Sequence, residues 1–181
     1  MLAYAKANPG KIAMGVSDSV TQVIASSLEK AAGIEFTIVP YKGGGPQSTD
    51  LLGNQIAAGV ATPNLMPHVQ SGKLQALVAT TPKRYPFLPE TPTVAEAIPG
   101  SNFDIHNWYA IAGPAKLPQP IVARLHAAIL KVMALPEVRK RFDDLGVTTP
   151  GDTSPEMLLA TMKDYQNRMS GLIKAAGIKP E

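Results

Sequence analysis

The sequence predicts an α/β fold built on a parallel sheet. From residue 11 to residue 80, short β-rich runs alternate with helical segments, the pattern of successive βαβ units. One of those helices carries a clear apolar face, and the 181 residues are 45% hydrophobic, enough to enclose a sizeable core.

The elements follow in order. Leu2–Ala7 reads as the end of a helix, closed by Asn8-Pro9-Gly10. Strands are expected at Ile12–Val16, Phe36–Val39, Ile56–Ala61 and Leu74–Ala79. Between the first two, a helix near Val20–Ala32 places Val20, Val23, Ile24, Leu28 and Ala31 on one face. Gly33 stands where a left-handed residue closes a helix. Shorter helices at Pro46–Leu52 and Pro63–Gln70 each open on a proline, whose fixed φ suits a first helical turn. Thr81–Pro92 holds four prolines and two basic residues, and reads as an extended loop or a linker near a lobe boundary.

The last third differs, with one strand expected at Trp108–Ala112 and the rest mostly helix. Pro120–Met133 carries Ile121, Val122, Leu125, Ile129 and Val132 as a stripe. Ser154 caps a second helix, with Pro155 at its first position and Met157, Leu158, Thr161, Tyr165, Met169 and Leu172 along one side. One strand cannot cover these helices. The expectation is therefore that the chain is the back portion of a larger two-lobed protein, since it would otherwise expose large apolar patches.

Composition excludes several classes of function. No cysteine is present, so disulfides, thiolate metal sites and a cysteine nucleophile are ruled out. No apolar run approaches a membrane span, so no direct membrane insertion is expected, and no basic-then-apolar signal segment opens the sequence. Seventeen basic and 14 acidic residues are scattered without a cationic block, which argues against nucleic acid. His68, His106 and His126 lack metal-ligand spacing, and there is no Gly-x-Ser-x-Gly elbow. No catalytic residue, metal ligand or cofactor site is expected.

In a parallel α/β sheet, ligands bind beyond the carboxyl ends of the strands, where the next helix presents free N–H groups. Three such turns can be placed. The first, Gly15–Gln22, offers Ser17, Asp18, Ser19, Thr21 and Gln22 to an anion, with help from the helix dipole. Ser19 and Gln22 also match an ordinary capping box, and both roles can coexist. Asp18 would repel an anion, so it faces solvent or receives a ligand donor. The second turn, Tyr41–Pro46, has three glycines that permit close backbone approach and Lys42 for charge; Lys42, Gly43 and Gly44 are its candidates. Plain turn chemistry is the alternative, and nucleotide-loop spacing is absent. The third offers Thr62 and Asn64, which equally suit helix capping. Trp108 reads either as a core residue or as a ligand contact.

Several segments then stand in a familiar order: Val39-Pro40-Tyr41-Lys42-Gly43-Gly44, Asp50-Leu51-Leu52-Gly53-Asn54-Gln55-Ile56, and Leu65-Met66-Pro67-His68-Val69-Gln70-Ser71-Gly72-Lys73-Leu74. Leu88-Pro89-Glu90-Thr91-Pro92-Thr93-Val94-Ala95-Glu96, Trp108–Ala115 and the ending Lys174–Glu181 continue it. Together they closely resemble the tripartite tricarboxylate transporter receptors, the Bug or TctC family of periplasmic substrate-binding proteins. The resemblance implies a periplasmic-binding-protein-like (type II) two-lobed architecture. Residues 1–104 would be a complete lobe two, and 105–181 the returning, mostly helical part of a partial lobe one. It implies a receptor without catalysis that holds a small carboxylate (a dicarboxylate, tricarboxylate or aromatic acid) and delivers it to membrane permease subunits. It further implies two carboxylate-holding turns, of which Ser17–Gln22 matches the lobe-two turn; the Pro-Gly-Gly turn of lobe one is not found. Two departures stand out: the first turn is shorter than the usual Gly/Ser-rich version, and no Asp lies near Val60–Thr62. Two other readings stay open. One is an interaction fragment that forms a homodimer through exposed lobe-one surface; the other is a hydrolase-like enzyme, which would need a His and a carboxylate near Ser17 or Ser19.

Overall fold

The structure, a computed structural model, describes residues 1–181 apart from 102, 146, 148, 150–152 and 178–181. The last four residues of the closing motif therefore lie outside the described residues. The chain divides into two compact units, Met1–Asn107 with the chain from Arg168 onward, and Trp108–Asn167.

The first unit is built on a three-stranded parallel sheet of order β2-β1-β3. The strands are β1 (Ala13–Val16), β2 (Thr37–Pro40) and β3 (Ala58–Gly59). Helix α1 (Leu2–Ala7) precedes the sheet, and α2 (Ser19–Ala32) and α3 (Gly44–Leu52) are its parallel crossovers. β1 is central, and Met14, Gly15 and Val16 are all buried on it, as expected of a strand paired on both edges. Val23, Ile24 and Ala25 of α2 are buried, while Leu28 packs half-buried against a core of Ile12, Met14, Val16, Phe36 and Ala58. Gly33 closes α2 at φ +61°, a conformation that a side chain disfavours.

Beyond β3 a 3₁₀ turn (Pro63–Leu65) leads into α4 (Met66–Gln70). The strand expected at Leu74–Ala79 does not form; only Ala79 makes a parallel bridge, to Thr93. The strand expected over Ile56–Ala61 shortens to two residues. Thr81–Pro92 does not separate the units but folds into the first. Arg84 pins it, donating to the Glu96 carboxylate at 2.9 Å and to the Pro89 carbonyl at 2.7 Å. Glu96 is also the third residue of a capping box with Thr93 on the short helix α5 (Val94–Ala97). The Arg84 guanidinium, and then the Thr93 N–H, hold the Glu96 carboxyl below the usual carboxylate range.

The second unit contains α6 (Gln119–Met133), α7 (Pro136–Asp144) and most of α8 (Pro155–Ala175). The strand expected at Trp108–Ala112 is absent: these residues pair with no strand among the described residues, and Tyr109 and Ile111 are 78% and 74% exposed. An extended segment becomes a strand only when a neighbour takes up its N–H and C=O groups. The helices themselves form where their apolar periodicity places them, and the Ser154 hydroxyl accepts from the Met157 N–H as the cap requires. No residue of α6 or α7 is buried, however, and Ile121, Leu125, Val132, Met157 and Met162 are exposed.

Candidate functional site

Because all three strands run parallel, the segments that follow β1, β2 and β3 leave the sheet at the same end. These are the three turns expected from sequence, all within the first unit. The second-unit candidate, Trp108, meets the Tyr165 ring edge-on at 5.8 Å, an aromatic packing contact.

The turn after β1 is closed by its own side chains. Asp18, not Ser19, is the N-cap of α2, and its partner in the capping box is Thr21, not Gln22. Asp18 Oδ1 accepts from the Thr21 N–H at 2.8 Å, while the Thr21 hydroxyl accepts from the Ser17 and Asp18 N–H groups at 2.9 and 3.0 Å and donates to the Asp18 carbonyl at 2.8 Å. Both spacings satisfy the box pattern. The Asp18 register prevails because it buries the Thr21 methyl and hydroxyl (3% exposed) and leaves the Asp18 carboxylate in solvent at the positive end of the helix. The N–H groups of Ser17, Asp18 and Thr21 are thus engaged. Those of Ser19 and Val20 occupy the first two helical positions, where no intrahelical acceptor exists. The Ser17 side chain is half-buried, Ser19 is exposed and Gln22 is half-buried beside them.

The turn after β2 begins α3 at Gly43, whose φ of +93° favours glycine, and Gly43 to Pro46 are all exposed. No side chain caps this helix. Lys42 is exposed and forms no ion pair among the described residues. The loop is bracketed by the Tyr41 hydroxyl, which donates to Asp50 Oδ2 at 2.8 Å. Partial desolvation, and then the Asp50 hydrogen bond and its negative charge, push the Tyr41 phenol above its ordinary value. After β3, Thr62 sits at the N-cap of the 3₁₀ turn without a capping bond, and its hydroxyl donates to Asn64 Oδ1 at 2.7 Å.

The residue that sequence reasoning missed is Gln47, in the first turns of α3. It is the largest fully buried side chain among the described residues, 2% exposed, and its amide donates to the Gly15 carbonyl at 2.9 Å and to the Val60 carbonyl at 3.0 Å. Room for it comes chiefly from Gly59, where a Cβ would lie 2.7 Å from Gln47 Nε2; on Gly15 a Cβ would meet Ile56 Cδ1 first, at 2.6 Å, and Gln47 Cγ at 3.1 Å. A glycine within a strand marks close approach of something else, and two on neighbouring strands was the available signal.

The histidines take other places. His106 bonds Asp104 at 2.9 Å, with Arg168 on the other oxygen of the same carboxylate, and His126 bonds the Thr153 carbonyl at 2.9 Å. Among the described residues no group of three or more His, Asp or Glu is placed to hold a metal ion, and no helix is long and apolar enough to cross a membrane.

Comparison with known proteins agrees with this architecture. The chain is 32% identical over 176 residues to the "UPF0065 protein in tcbD-tcbE intergenic region" from a Pseudomonas species, covering 96% of this chain and 52% of that one. It is 28% identical to "Protein BugT" of Bordetella pertussis, covering 99% and 55%. Among solved structures, "R. palustris Rpa4515 with adipate" matches with a TM-score of 0.85 at 27% identity, covering 99% of this chain and 60% of that one. "MatC (Rpa3494) from Rhodopseudomonas palustris with bound malate" matches with 0.79 at 26% identity, covering 95% and 60%. The periplasmic binding protein BugD matches with 0.83 at 27% identity, covering 99% and 61%. The fold is thus the α/β fold of periplasmic binding proteins, and the chain spans about half the length of the curated relatives it matches. The pattern of the family described as "Tripartite tricarboxylate transporter family receptor" matches residues 1–178, and the chain belongs to that family.

Proposed function

We propose that this chain carries the carboxylate-holding part of an extracytoplasmic solute receptor, working in the periplasm without catalysis and handing its solute to the permease subunits of a tripartite tricarboxylate transporter. The observation that carries the reading is the mouth of α2. Two N–H groups, of Ser19 and Val20, stand without helical acceptors at the positive end of a 14-residue helix, flanked by the Ser17 and Ser19 hydroxyls and Gln22. Lys42 with the Gly43-Gly44 backbone, and Thr62 with Asn64, flank it from the neighbouring turns. Asp18 and Thr21 shape this mouth through the cap. Residues 1–104 are assigned to the ligand-holding lobe two and 105–181 to the returning part of lobe one.

Adipate and malate, named with two relatives of similar fold, define the ligand class to try first: small dicarboxylates. A thermal-shift panel of adipate, malate, citrate and benzoate tests the reading, because a ligand that binds only the folded chain raises its melting temperature. At 100 times its Kd such a ligand contributes about 2.7 kcal/mol. No shift with any carboxylate at millimolar concentration sinks the proposal for this chain.

The exposed apolar residues of α6 and α8 favour a second reading, association through that face. Sedimentation decides it: a clean monomer that binds little hydrophobic dye excludes it.

A further inference from the structure

Three turns converge at one end of the sheet, and a single side chain is tied to all of them. Gln47 belongs to the helix that the Lys42–Gly45 turn opens. Its first hydrogen bond ends on Gly15, two residues before Ser17. Its second ends on Val60, two residues before Thr62. The backbone between these points makes only part of the connection: β1 and β3 pair through Met14–Ala58 and Gly15–Gly59 alone, and the Val60 N–H closes the ladder onto the Gly15 carbonyl at 3.0 Å. The Gln47 amide lies where this short ladder stops and extends it by two bonds.

We propose that Gln47 is the positioning residue of the site, a lock that holds the turns after β1 and β3 in register with the turn before α3. It does not touch ligand. It acts through the backbone of Gly15 and Val60, and glycine at 59, where a Cβ would lie 2.7 Å from its Nε2, is the condition for its presence. As an amide it suits this task because its NH₂ supplies two donors to two carbonyl oxygens, which a carboxylate would repel. The functional meaning of the lock rests on the receptor reading above; its existence does not.

The test uses Gln47→Met, which keeps side-chain length and removes both donors, and Gln47→Glu, which leaves one donor and that only while protonated. Amide exchange is followed by mass spectrometry on the ligand-free chain, with wild type measured under each condition. In Gln47→Met, protection over residues 16–21 and 60–65 is expected to fall on the order of tenfold, while α6 and α7 are unchanged. Gln47→Glu, with one donor when protonated, is expected to be better protected than Gln47→Met at about pH 5 and to match it at about pH 8, because a carboxyl buried against two carbonyl oxygens titrates above its usual value of about 4.3. Unchanged protection in Gln47→Met, or a loss spread evenly over the first unit, overturns the lock. Should Gln47→Met not fold, the Gln47→Glu profile decides, and a protection pattern with the same pH dependence as wild type overturns it. Adipate and malate are added to wild type separately. A locked pattern with no thermal shift sinks the receptor reading and leaves the lock standing, whereas a thermal shift with unaltered protection in the variants does the reverse.

Discussion

Gly59→Ala should destabilise this protein because of Gln47, and should stop doing so once Gln47 is gone. The added Cβ would lie 2.7 Å from Gln47 Nε2, closer than carbon and nitrogen can stand. The clash is with the far end of a flexible side chain, so the steric part is relieved by turning the amide away. What is lost is the pair of hydrogen bonds to Gly15 and Val60. Gly15 O keeps its bond from the Val60 N–H, whereas the Val60 carbonyl gives up the bond that the amide supplies. At about 1 kcal/mol net for each bond, Gly59→Ala costs roughly 2 kcal/mol. Gly59 does not have a positive φ, so alanine fits its backbone. In a Gln47→Ala background the same change should therefore cost nothing, or gain about 0.4–1 kcal/mol by restricting the unfolded chain. Urea unfolding of the four proteins closes a double-mutant cycle with a coupling of about 2 kcal/mol. Additivity within about 0.5 kcal/mol would refute the argument, because it would mean the two residues do not share the space.

Four further outcomes are expected. Asp18→Ala should lower stability by about 0.5–2 kcal/mol through loss of the α2 cap, whereas Ser19→Ala stays within about 0.5 kcal/mol; the reverse order in thermal unfolding would restore the Ser19–Gln22 register. The Glu96 carboxyl, held low by Arg84, contributes stability that is present above its unfolded value of about 4.3 and is lost as pH falls through the lower folded value. An NMR titration should show this, and Arg84→Ala should reduce the shift to what the Thr93 N–H leaves; Glu96 titrating at or above the usual value in wild type counts against the pairing. Ile24→Ala, 4% exposed, should cost about 2–5 kcal/mol by urea unfolding, against less than about 0.5 kcal/mol for Leu125→Ala, which is 51% exposed; equal costs would mean that α6 is covered in solution. Lys42→Ala should weaken any adipate response in the thermal-shift panel without moving the unliganded melting temperature, and an unchanged response removes Lys42 from the site.

The parts of the fold legible in the sequence are those fixed by local chemistry. α2 shows itself through its apolar face, its polar start and Gly33, and α8 through Ser154-Pro155. The cap of α2 was not legible, because Asp18-Ser19-Val20-Thr21 and Ser19-Val20-Thr21-Gln22 offer overlapping boxes and only burial of Thr21 chooses between them. The strands at Leu74–Ala79 and Trp108–Ala112 failed for a different reason. β-rich composition reports that a segment tolerates an extended backbone, while a strand also needs a neighbour at about 4.8 Å, which composition does not contain. Gln47 fails for the same cause at larger range: its two partners are 32 and 13 residues away.

The candidate site follows the same division. The sequence places hydroxyls, glycines and a lysine after the right strands, because strand, turn and helix start are all local. It does not say which N–H groups remain open once the turn has satisfied itself. Thr21 takes two of them and Asp18 a third, so a turn that looks like five polar ligands is reduced, in backbone donors, to Ser19 and Val20. That reduction sharpens the chemistry. A carboxylate at those two donors would share the helix end with the Asp18 carboxylate, so part of the dipole's attraction is already used, and the balance must come from a cation. Lys42, exposed and without an ion pair among the described residues, is the nearest such group in the order of the turns. Salt should therefore weaken carboxylate binding more in wild type than in Lys42→Ala, since screening acts on the charge that the variant lacks.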